Sequence, residues 1–361
     1  MKNVVVILTG GGARGAFQAG AWNRILKEGI NFGNGMEKIG VPKAVFGVSA
    51  GALNGAMIAM GKDREVINLW NEIAGNPDEV YTSDFLKMEN GKTKLDLQQF
   101  GKYILSDVGA FQKIGLLFEK SRNKILAKVI EKIKKIKGLA DNAPLHEKVK
   151  RWIQIKDFSS EVFQAGFVSL TDGKYYSIQH TDFSSNEALQ NAVLASSTIP
   201  LVWSPVERVN TKSFELSHLI DGGIRNVTPL GDAVKYVKSS EQDEFYFLII
   251  SCHTDGLKTM DESPNIINII ERSIFDISMN EIRDTDISEF LRINDLVKQA
   301  KQKGVDLLDK NGRKLKSFKV KIIQPQRELG AGLDFSRTAV MDSFAHGFQV
   351  AKSVITSPYW G

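Results

Sequence analysis

The sequence is poor in the residues that build cross-links and metal sites. It has a single cysteine, Cys252, in 361 residues, which excludes an internal disulfide and is typical of a reducing, cytoplasmic compartment. No Cys/His spacing suggests zinc and no EF-hand loop is present, so no metal is expected. No apolar run approaches the ~20 residues that span a bilayer. Val4–Leu8 stops at Gly10-Gly11-Gly12 and is too short for a signal-peptide core.

Acidic residues are scarce in one stretch of an otherwise balanced chain. The formal net charge is +5, yet Lys113–Lys137 alone carries nine Lys/Arg against two Glu, a local charge of +7. Apolar residues recur in this segment at helical spacing, at Ile125, Val129, Ile133 and Ile136. The pattern predicts an amphipathic helix. It is either a solvated surface helix or a lid or interfacial helix that docks on an anionic membrane. Nucleic acid is disfavoured as a partner because aromatic residues do not interleave with the lysines.

A Gly-x-Ser-x-Gly pattern, Gly47-Val48-Ser49-Ala50-Gly51, follows the short apolar run Ala44–Phe46. Small helix-forming residues come next, as in the strand, sharp turn and helix of a nucleophile elbow. Such a turn strains the serine backbone and needs small neighbours, because a Cβ would collide with the strand or the substrate. The helix behind it directs N–H groups toward the place where an oxyanion would form. The alternative is an ordinary glycine-rich turn.

An earlier glycine-rich loop, Gly10-Gly11-Gly12-Ala13-Arg14-Gly15, separates a predicted strand (Asn3–Leu8) from a predicted helix (Ala16–Leu26). Its Gly-x-Gly-x-x-Gly spacing allows dinucleotide binding, which calls for an acidic residue near the end of the second strand. That strand ends in Phe46-Gly47-Val48-Ser49, without an acid, and no Walker A lysine follows the loop. The pattern therefore favours an oxyanion hole, in which glycine lets backbone N–H groups approach a tetrahedral intermediate.

Strands and helices alternate along the chain, which predicts a single α/β domain over residues 1–361 with a mostly parallel sheet. Residues 62–155 are mostly helical and irregular, include the basic segment, and form a predicted lid-like insertion. Gly29–Gly40 is expected to be a loop, and Asp172-Gly173 predicts a hairpin turn. The other predicted helices are Arg64–Ile73, Leu95–Leu105, Glu187–Ala195, Leu230–Val237, stretches of 266–302, and Leu333–Ile355. The other predicted strands are Glu161–Leu170, Lys174–Ile178, Leu216–Ile220, Phe245–Ile250 and Phe318–Ile323.

A serine hydroxyl needs a base to take its proton. Of the five histidines, only His253 follows a strand in the way that a Ser-His-Asp triad requires. The alternative interpretation is that His253 is a loop histidine hydrogen-bonded to the backbone. Asp221 is the other candidate, since it ends an apolar strand and is followed by Gly222-Gly223, which let another backbone come close. A carboxylate in a dry pocket could serve as base without imidazole. The competing interpretation is a turn aspartate that caps the glycines.

Three blocks, Gly10–Gly15, Gly47–Gly51 and Asp221–Gly223, occur in this order. They resemble the signature blocks of the patatin-like phospholipases. Ala195–Pro200 and Leu333–Ser336 are also similar to that family, so the resemblance covers most of the chain outside the insertion. It implies a three-layer α/β fold with helices flanking a mostly parallel central sheet. It also implies hydrolysis of lipid acyl esters by a Ser–Asp dyad, with no metal or other cofactor.

Carried over by position, the resemblance implies Ser49 as nucleophile and Asp221 as general base, acting on a phospholipid or lysophospholipid. The third block reads Asp-Gly-Gly where many relatives have Asp-Gly-Ala, a change expected to be silent. Three other functions stay open. One is a Ser-His-Asp carboxylesterase of the α/β-hydrolase type, and another is a non-catalytic nucleotide-binding protein that uses the Gly10–Gly15 loop. The third is a catalytically silent membrane- or partner-binding protein that uses the Lys113–Lys137 helix.

The resemblance also assigns the residues around the dyad. The N–H groups of Gly11, Gly12 and Ala50 would form the oxyanion hole, and Arg14 would brace the glycine loop. The remaining motif positions would support the loop and the turns: Gly10, Gly15, Gly47, Gly51, Gly222 and Gly223.

Overall fold

The computed structural model of the chain describes residues 2–89, 92–106, 119–242, 244–257, 259, 268–269 and 272–361. The first part of the basic segment, 113–118, lies outside these residues, as do 266–267 and 270–271 of the predicted helical stretch 266–302. In the part of the chain that is described, no helix combines the length and the hydropathy needed to cross a membrane.

The strands follow one another from the amino end of the chain to its last third. They are β1 (Val4–Leu8), β2 (Ile30–Asn31), β3 (Met36–Glu37), β4 (Ala44–Val48), β5 (Leu86–Glu89), β6 (Lys92–Leu95), β7 (Val162–Ser169), β8 (Tyr175–Gln179), β9 (Val206–Asn210), β10 (Glu215–Asp221), β11 (Tyr246–Ile250) and β12 (Lys319–Ile323). Among the described residues, a central sheet has the order β12-β11-β1-β4-β7-β10-β9, and β8 also pairs with β7. The run from β12 to β7 is parallel, so the prediction of a mostly parallel sheet is confirmed.

The α-helices lie between and after these strands. They are α1 (Gly15–Glu28), α2 (Ala50–Ala59), α3 (Asp63–Gly75), α4 (Leu97–Ile104), α5 (Glu119–Lys134), α6 (Ala143–Trp152), α7 (Asn186–Ser196), α8 (Leu230–Ser239), α9 (Met279–Gln302) and α10 (Arg337–Thr356). Helix α10 begins later than the predicted Leu333 because the Ser336 hydroxyl caps it and accepts a hydrogen bond from the Ala339 N–H.

Helices cover both faces of the sheet, which gives the expected three layers. The β1 side chains alternate: Val4, Val6 and Leu8 join a core cluster with α1, α2 and α10. Val5 and Ile7 join a second cluster with α8 and α9 on the opposite face. A strand buried on both faces loses almost all of its apolar surface to the core, which explains the uninterrupted Val/Ile/Leu run of β1.

Two short strand pairs lie in segments where the sequence predicted none. The supposed loop Gly29–Gly40 contains the short antiparallel pair β2–β3. In the insertion, a second antiparallel pair, β5–β6, stands where helical or irregular structure was expected. The lysine-rich composition of that pair hid the strands, although the Asn90-Gly91 dipeptide between them is a hairpin signal.

Candidate active site

Ser49 lies in the sharp turn between β4 and α2. Its backbone has φ 57° and ψ −131°, which is left-handed and uncommon for a residue with a side chain. The turn leaves no room for larger neighbours. A Cβ on Gly51 would lie 2.4 Å from the Leu8 carbonyl oxygen, and one on Gly47 would lie 2.2 Å from the Gly51 oxygen. The geometry is that of the predicted elbow.

Asp221 reaches Ser49 because two strands share one edge of β7. Gly166 of β7 pairs with Val48 on one side and with β8 on the other. Phe167 pairs with Asp221 and again with β8. Since β8 occupies the opposite edge in both pairings, β4 and β10 lie end to end along the same edge. Their carboxyl ends therefore meet, with Ser49 next to Asp221.

The close packing at this junction depends on the glycine after Asp221. A Cβ on Gly222 would lie 2.4 Å from the Gly166 carbonyl oxygen. The Asp221 N–H donates to the Thr198 carbonyl at 2.9 Å, so the segment after α7 also holds the aspartate. Asp221 is completely buried and Ser49 is 1% exposed.

The Asp221 carboxyl group has only part of its hydrogen bonding satisfied. Oδ1 accepts a hydrogen bond from the Gly223 N–H at 2.7 Å. Oδ2 has no hydrogen-bond partner among the described residues. Burial raises the pKa of Asp221 to about 7, while the nearby Ser49 hydroxyl and the Gly223 N–H oppose the rise. The serine hydroxyl thus lies near the carboxyl group without forming a hydrogen bond to Oδ2.

Ser196 connects the elbow to β7, a role that the sequence did not suggest. Its hydroxyl accepts the Ser49 N–H at 2.9 Å and donates to the Gly166 carbonyl at 2.5 Å. These two backbone groups flank the point where β4 stops pairing with β7. The sequence block Ala195–Pro200 resembles the family, but no pattern in it predicts this bridge.

The glycine loop is held by the segment before α10. The Ala13 N–H donates to the Gly332 carbonyl at 2.8 Å, and the Arg14 Nε donates to the Gly330 carbonyl at 2.8 Å. Arg14 also forms an ion pair with Asp276, with its Nη2 2.5 Å from Oδ1. Gly12 has φ 57°, and a Cβ there would lie 2.2 Å from the Gly332 oxygen. The loop is thus fixed in place by backbone contacts that only glycine allows.

The backbone N–H groups of Gly11, Gly12 and Ala50 donate no hydrogen bond to any other described residue. Gly12 and Ala50 line the same cavity as Ser49. Gly10 also packs closely against Ser49, because a Cβ added to Gly10 would lie 3.2 Å from the Ser49 Cβ. Three further motif glycines have packing roles: Gly11 lies against Cys252, Gly15 against Ala50 and Trp70, and Gly223 against Met279.

The cavity at Ser49 is small and almost entirely apolar. Its volume is about 30 Å³, which is room for one or a few water molecules. Apolar side chains form most of its wall: Leu53, Leu69, Trp70, Ile73, Val80, Leu145, Ile199, Trp203 and Phe335. Among the described residues, no group of three or more His, Cys, Asp or Glu side chains could hold a metal ion.

His253 lies elsewhere. It is buried and lines a separate cavity of about 200 Å³ together with Arg14, Arg272 and Asp276. Neither Ser49 nor Asp221 is among the lining residues of that cavity. The arrangement thus places a carboxyl group, and not this imidazole, beside the serine.

A sequence profile of the patatin-like phospholipase family matches residues 6–234, from β1 to α8, and includes both Ser49 and Asp221. The chain belongs to this family. No protein with a curated description matches the chain by sequence. Among solved structures, this patatin-like chain is similar to the crystal structure of VipD from Legionella pneumophila, with a TM-score of 0.40 and 14% identity. The match covers 98% of this chain and 66% of VipD, just under two thirds of its length. A similarity this weak carries no inference about function.

Proposed function

We propose that the protein is a lipid acyl hydrolase that cleaves fatty acyl esters with Ser49 as nucleophile and Asp221 as general base. The observation that carries the proposal is the meeting of β4 and β10 on β7, which puts a buried carboxyl group beside a strained serine. Family membership supports lipid hydrolysis in general. The dyad and the choice of substrate are our proposal.

The reaction begins when Asp221 accepts the Ser49 proton as Oγ attacks the ester carbonyl carbon. The N–H groups of Gly11 and Gly12 in the glycine loop, together with that of Ala50 at the N-terminus of α2, stabilise the oxyanion of the tetrahedral intermediate. The C–O bond then breaks, and the protonated aspartate returns its proton to the departing alkoxide. Water, activated by the same carboxylate, releases the fatty acid and regenerates Ser49.

A phospholipid or lysophospholipid suits the cavity, because its apolar wall can receive an acyl chain. At about 30 Å³ the cavity holds only part of an acyl chain, so a bound chain would extend beyond it or displace part of its wall. Val80 and Leu145 contribute to the wall from the insertion, residues 62–155. We therefore regard the insertion as a lid, within one domain whose core cluster extends from Val4 to Ile355.

Helix α5 in the insertion is our proposed contact with anionic membrane. Of the predicted apolar stripe, Ile125 is buried and Val129 and Ile136 are half-buried, so this side packs on the protein. Ile133 is exposed instead and joins a second stripe at i, i+4 and i+7 spacing: Leu126, Ile130 and Ile133. Exposed lysines follow on the same segment. An apolar stripe beside lysines fits the boundary between lipid head groups and acyl chains.

A fluorophosphonate probe tests the nucleophile directly, because it reacts only with an activated serine. We expect wild type to be labelled and to hydrolyse a lysophospholipid, and Ser49→Ala to lose both. Ser343→Ala is the matched control, since Ser343 is also buried but lies in α10. Labelling of Ser49→Ala at the wild-type rate would refute the assignment.

The same assay separates the dyad from a triad. His253→Asn should keep most of the turnover if Asp221 is the base, whereas a Ser-His-Asp carboxylesterase would lose nearly all of it. A thermal-shift screen with dinucleotides covers the nucleotide-binding alternative. A large shift with an unlabelled Ser49 would favour that alternative.

A further inference from the structure

Leu201 is an exposed leucine in a tight turn that follows α7. The residue is 57% exposed. Its backbone has φ 69°, in the left-handed region, which is unfavourable for a residue with a Cβ and is more often occupied by glycine or asparagine. The position thus combines an apolar side chain in water with a strained backbone. Neither feature stabilises the fold, so the position calls for a functional explanation.

The turn that contains Leu201 is part of the wall of the Ser49 cavity. The Trp203 N–H donates to the Ile199 carbonyl at 3.0 Å and closes the turn. Ile199 and Trp203 are both buried, and both line the cavity. Leu201 lies between them in the chain, is exposed and does not line the cavity. The two ends of the turn thus form cavity wall, and its middle faces solvent.

The segment after α5 is fixed against this turn. The Leu139 N–H donates to the Leu201 carbonyl at 3.1 Å and to the Val202 carbonyl at 2.9 Å. The close approach requires a glycine, because a Cβ on Gly138 would lie 2.6 Å from the Ser204 backbone nitrogen. The chain that leaves α5 is therefore held beside the exposed leucine.

The same segment is strongly cationic. Residues 131–137 contain four lysines and one glutamate, and three of the lysines are exposed, namely Lys134, Lys135 and Lys137. Lys137 is two residues from Leu139, at most about 7 Å along the chain. The ion pairs of Lys134 and Lys137 are with exposed glutamates, and such pairs contribute little. The positive charge therefore remains available to an anionic surface.

We propose that Leu201 anchors the protein in an anionic bilayer, with its side chain among the acyl chains and Lys134, Lys135 and Lys137 at the head groups. The inference rests on the proposed function and extends its membrane contact from α5 to the wall of the active site. An apolar side chain beside lysines matches the boundary between acyl chains and anionic head groups. Because the ends of the same turn line the Ser49 cavity, the anchor holds that cavity at the lipid surface, where the substrate lies.

The test compares Leu201→Asn with wild type in sedimentation with vesicles of equal parts phosphatidylcholine and phosphatidylglycerol. Asparagine accepts a left-handed backbone more readily than leucine, so the variant should fold. We expect vesicle binding to weaken about tenfold, as for the loss of one buried leucine side chain. Unchanged binding would overturn the inference.

Leu308→Asn is the matched control, because Leu308 is also 57% exposed but follows α9. Its vesicle binding should stay within about twofold of wild type, as for an ordinary surface substitution. Equal weakening by the two variants would overturn the inference, since it would reflect a general loss of surface hydrophobicity.

A fluorescent label covers the case in which Leu201→Asn does not fold. The sole cysteine, Cys252, is buried, so a nitrobenzoxadiazole label can be attached selectively to Leu201→Cys. Its emission should shift to the blue when the same vesicles are added, because the label leaves water. The label on Leu308→Cys should not shift. An unshifted emission at position 201 in vesicle-bound protein would overturn the inference.

Failure of the proposed function has a different signature, because neither measurement needs catalysis. Weaker vesicle binding by Leu201→Asn would support the anchor even if Ser49 did not react with a fluorophosphonate. Wild type that binds no anionic vesicles would refute the membrane contact and the anchor together.

Discussion

Ser49 and Asp221 are neighbours because their strands stop against adjacent residues of β7. Val48 pairs with Gly166, and Asp221 pairs with Phe167 on the same edge. β4 comes to this point from one direction and β10 from the other. A single register on β7 thus determines whether the two side chains meet, and a slip of either strand would separate them.

The first prediction concerns the dyad as one unit. Ser49→Ala and Asp221→Asn should each lower kcat by at least about 10³-fold. The first variant removes the nucleophile that donates the proton, and the second removes the carboxylate that accepts it. The double variant should be no slower than the slower single variant. Steady-state kinetics on a lysophospholipid measures all three. Multiplicative losses would mean that the two residues act independently.

The second prediction is that activity depends on the ionisation of Asp221. Burial raises the pKa of this carboxyl group to about 7, and only the carboxylate can accept the Ser49 proton. Turnover should therefore rise as the pH increases through about 7 and then level off. A profile of kcat/KM against pH measures the midpoint. A flat profile between pH 5 and 9, a range of about two units on each side, would argue against Asp221 as base.

The third prediction concerns stability and also follows from the raised pKa of Asp221. Native Asp221 keeps a proton that the unfolded chain loses above its ordinary pKa of 3.8, so stability falls as the pH rises from there to about 7. Asp221→Asn removes this penalty and keeps an oxygen for the Gly223 N–H. At pH 8 the variant should be more stable than wild type by up to ~4 kcal/mol. Urea unfolding should show the difference shrinking towards zero near pH 4, and a pH-independent difference would contradict it.

The fourth prediction is that Ser196 positions the elbow. Ser196→Ala leaves the Ser49 N–H and the Gly166 carbonyl without their shared partner. We expect a loss of ~2 kcal/mol in the free energy of unfolding and about a tenfold fall in kcat. Thr198→Val is the control, because the Thr198 hydroxyl donates only to the Leu194 carbonyl within its own turn. Equal effects of the two variants on kcat would show that Ser196 has no specific role in positioning the elbow.

The fifth prediction concerns the lysines at the end of α5 and just after it. Changing Lys134, Lys135 and Lys137 to Gln should weaken binding to anionic vesicles about 100-fold, at ~1 kcal/mol for each lysine. The control changes three exposed lysines at the end of α9 and after it, Lys301, Lys303 and Lys310, and so gives the same net charge. Vesicle sedimentation measures both. Equal weakening by the two sets would indicate a general charge effect and no membrane-facing side.

The sequence by itself determined the local elements of the site. The buried Val/Ile/Leu run of β1, the glycine loop and the Gly-x-Ser-x-Gly turn are short-range patterns, since each depends on residues that are neighbours in the chain. The steric limit at Gly47 acts across a single turn, because a Cβ there would meet the Gly51 carbonyl oxygen. For this reason the family, the sheet with helices on both faces and the strained Ser49 could be predicted.

Only the tertiary structure decided how these pieces face each other. That β10 runs antiparallel and meets β4 end to end depends on a register with β7, which no local pattern encodes. The Ser196 bridge, the apolar stripe left exposed on α5 and the turn at Leu201 depend likewise on partners distant in sequence. Hydrogen-bond satisfaction and burial are properties of the packed chain, so they become visible only once the strands have found their places.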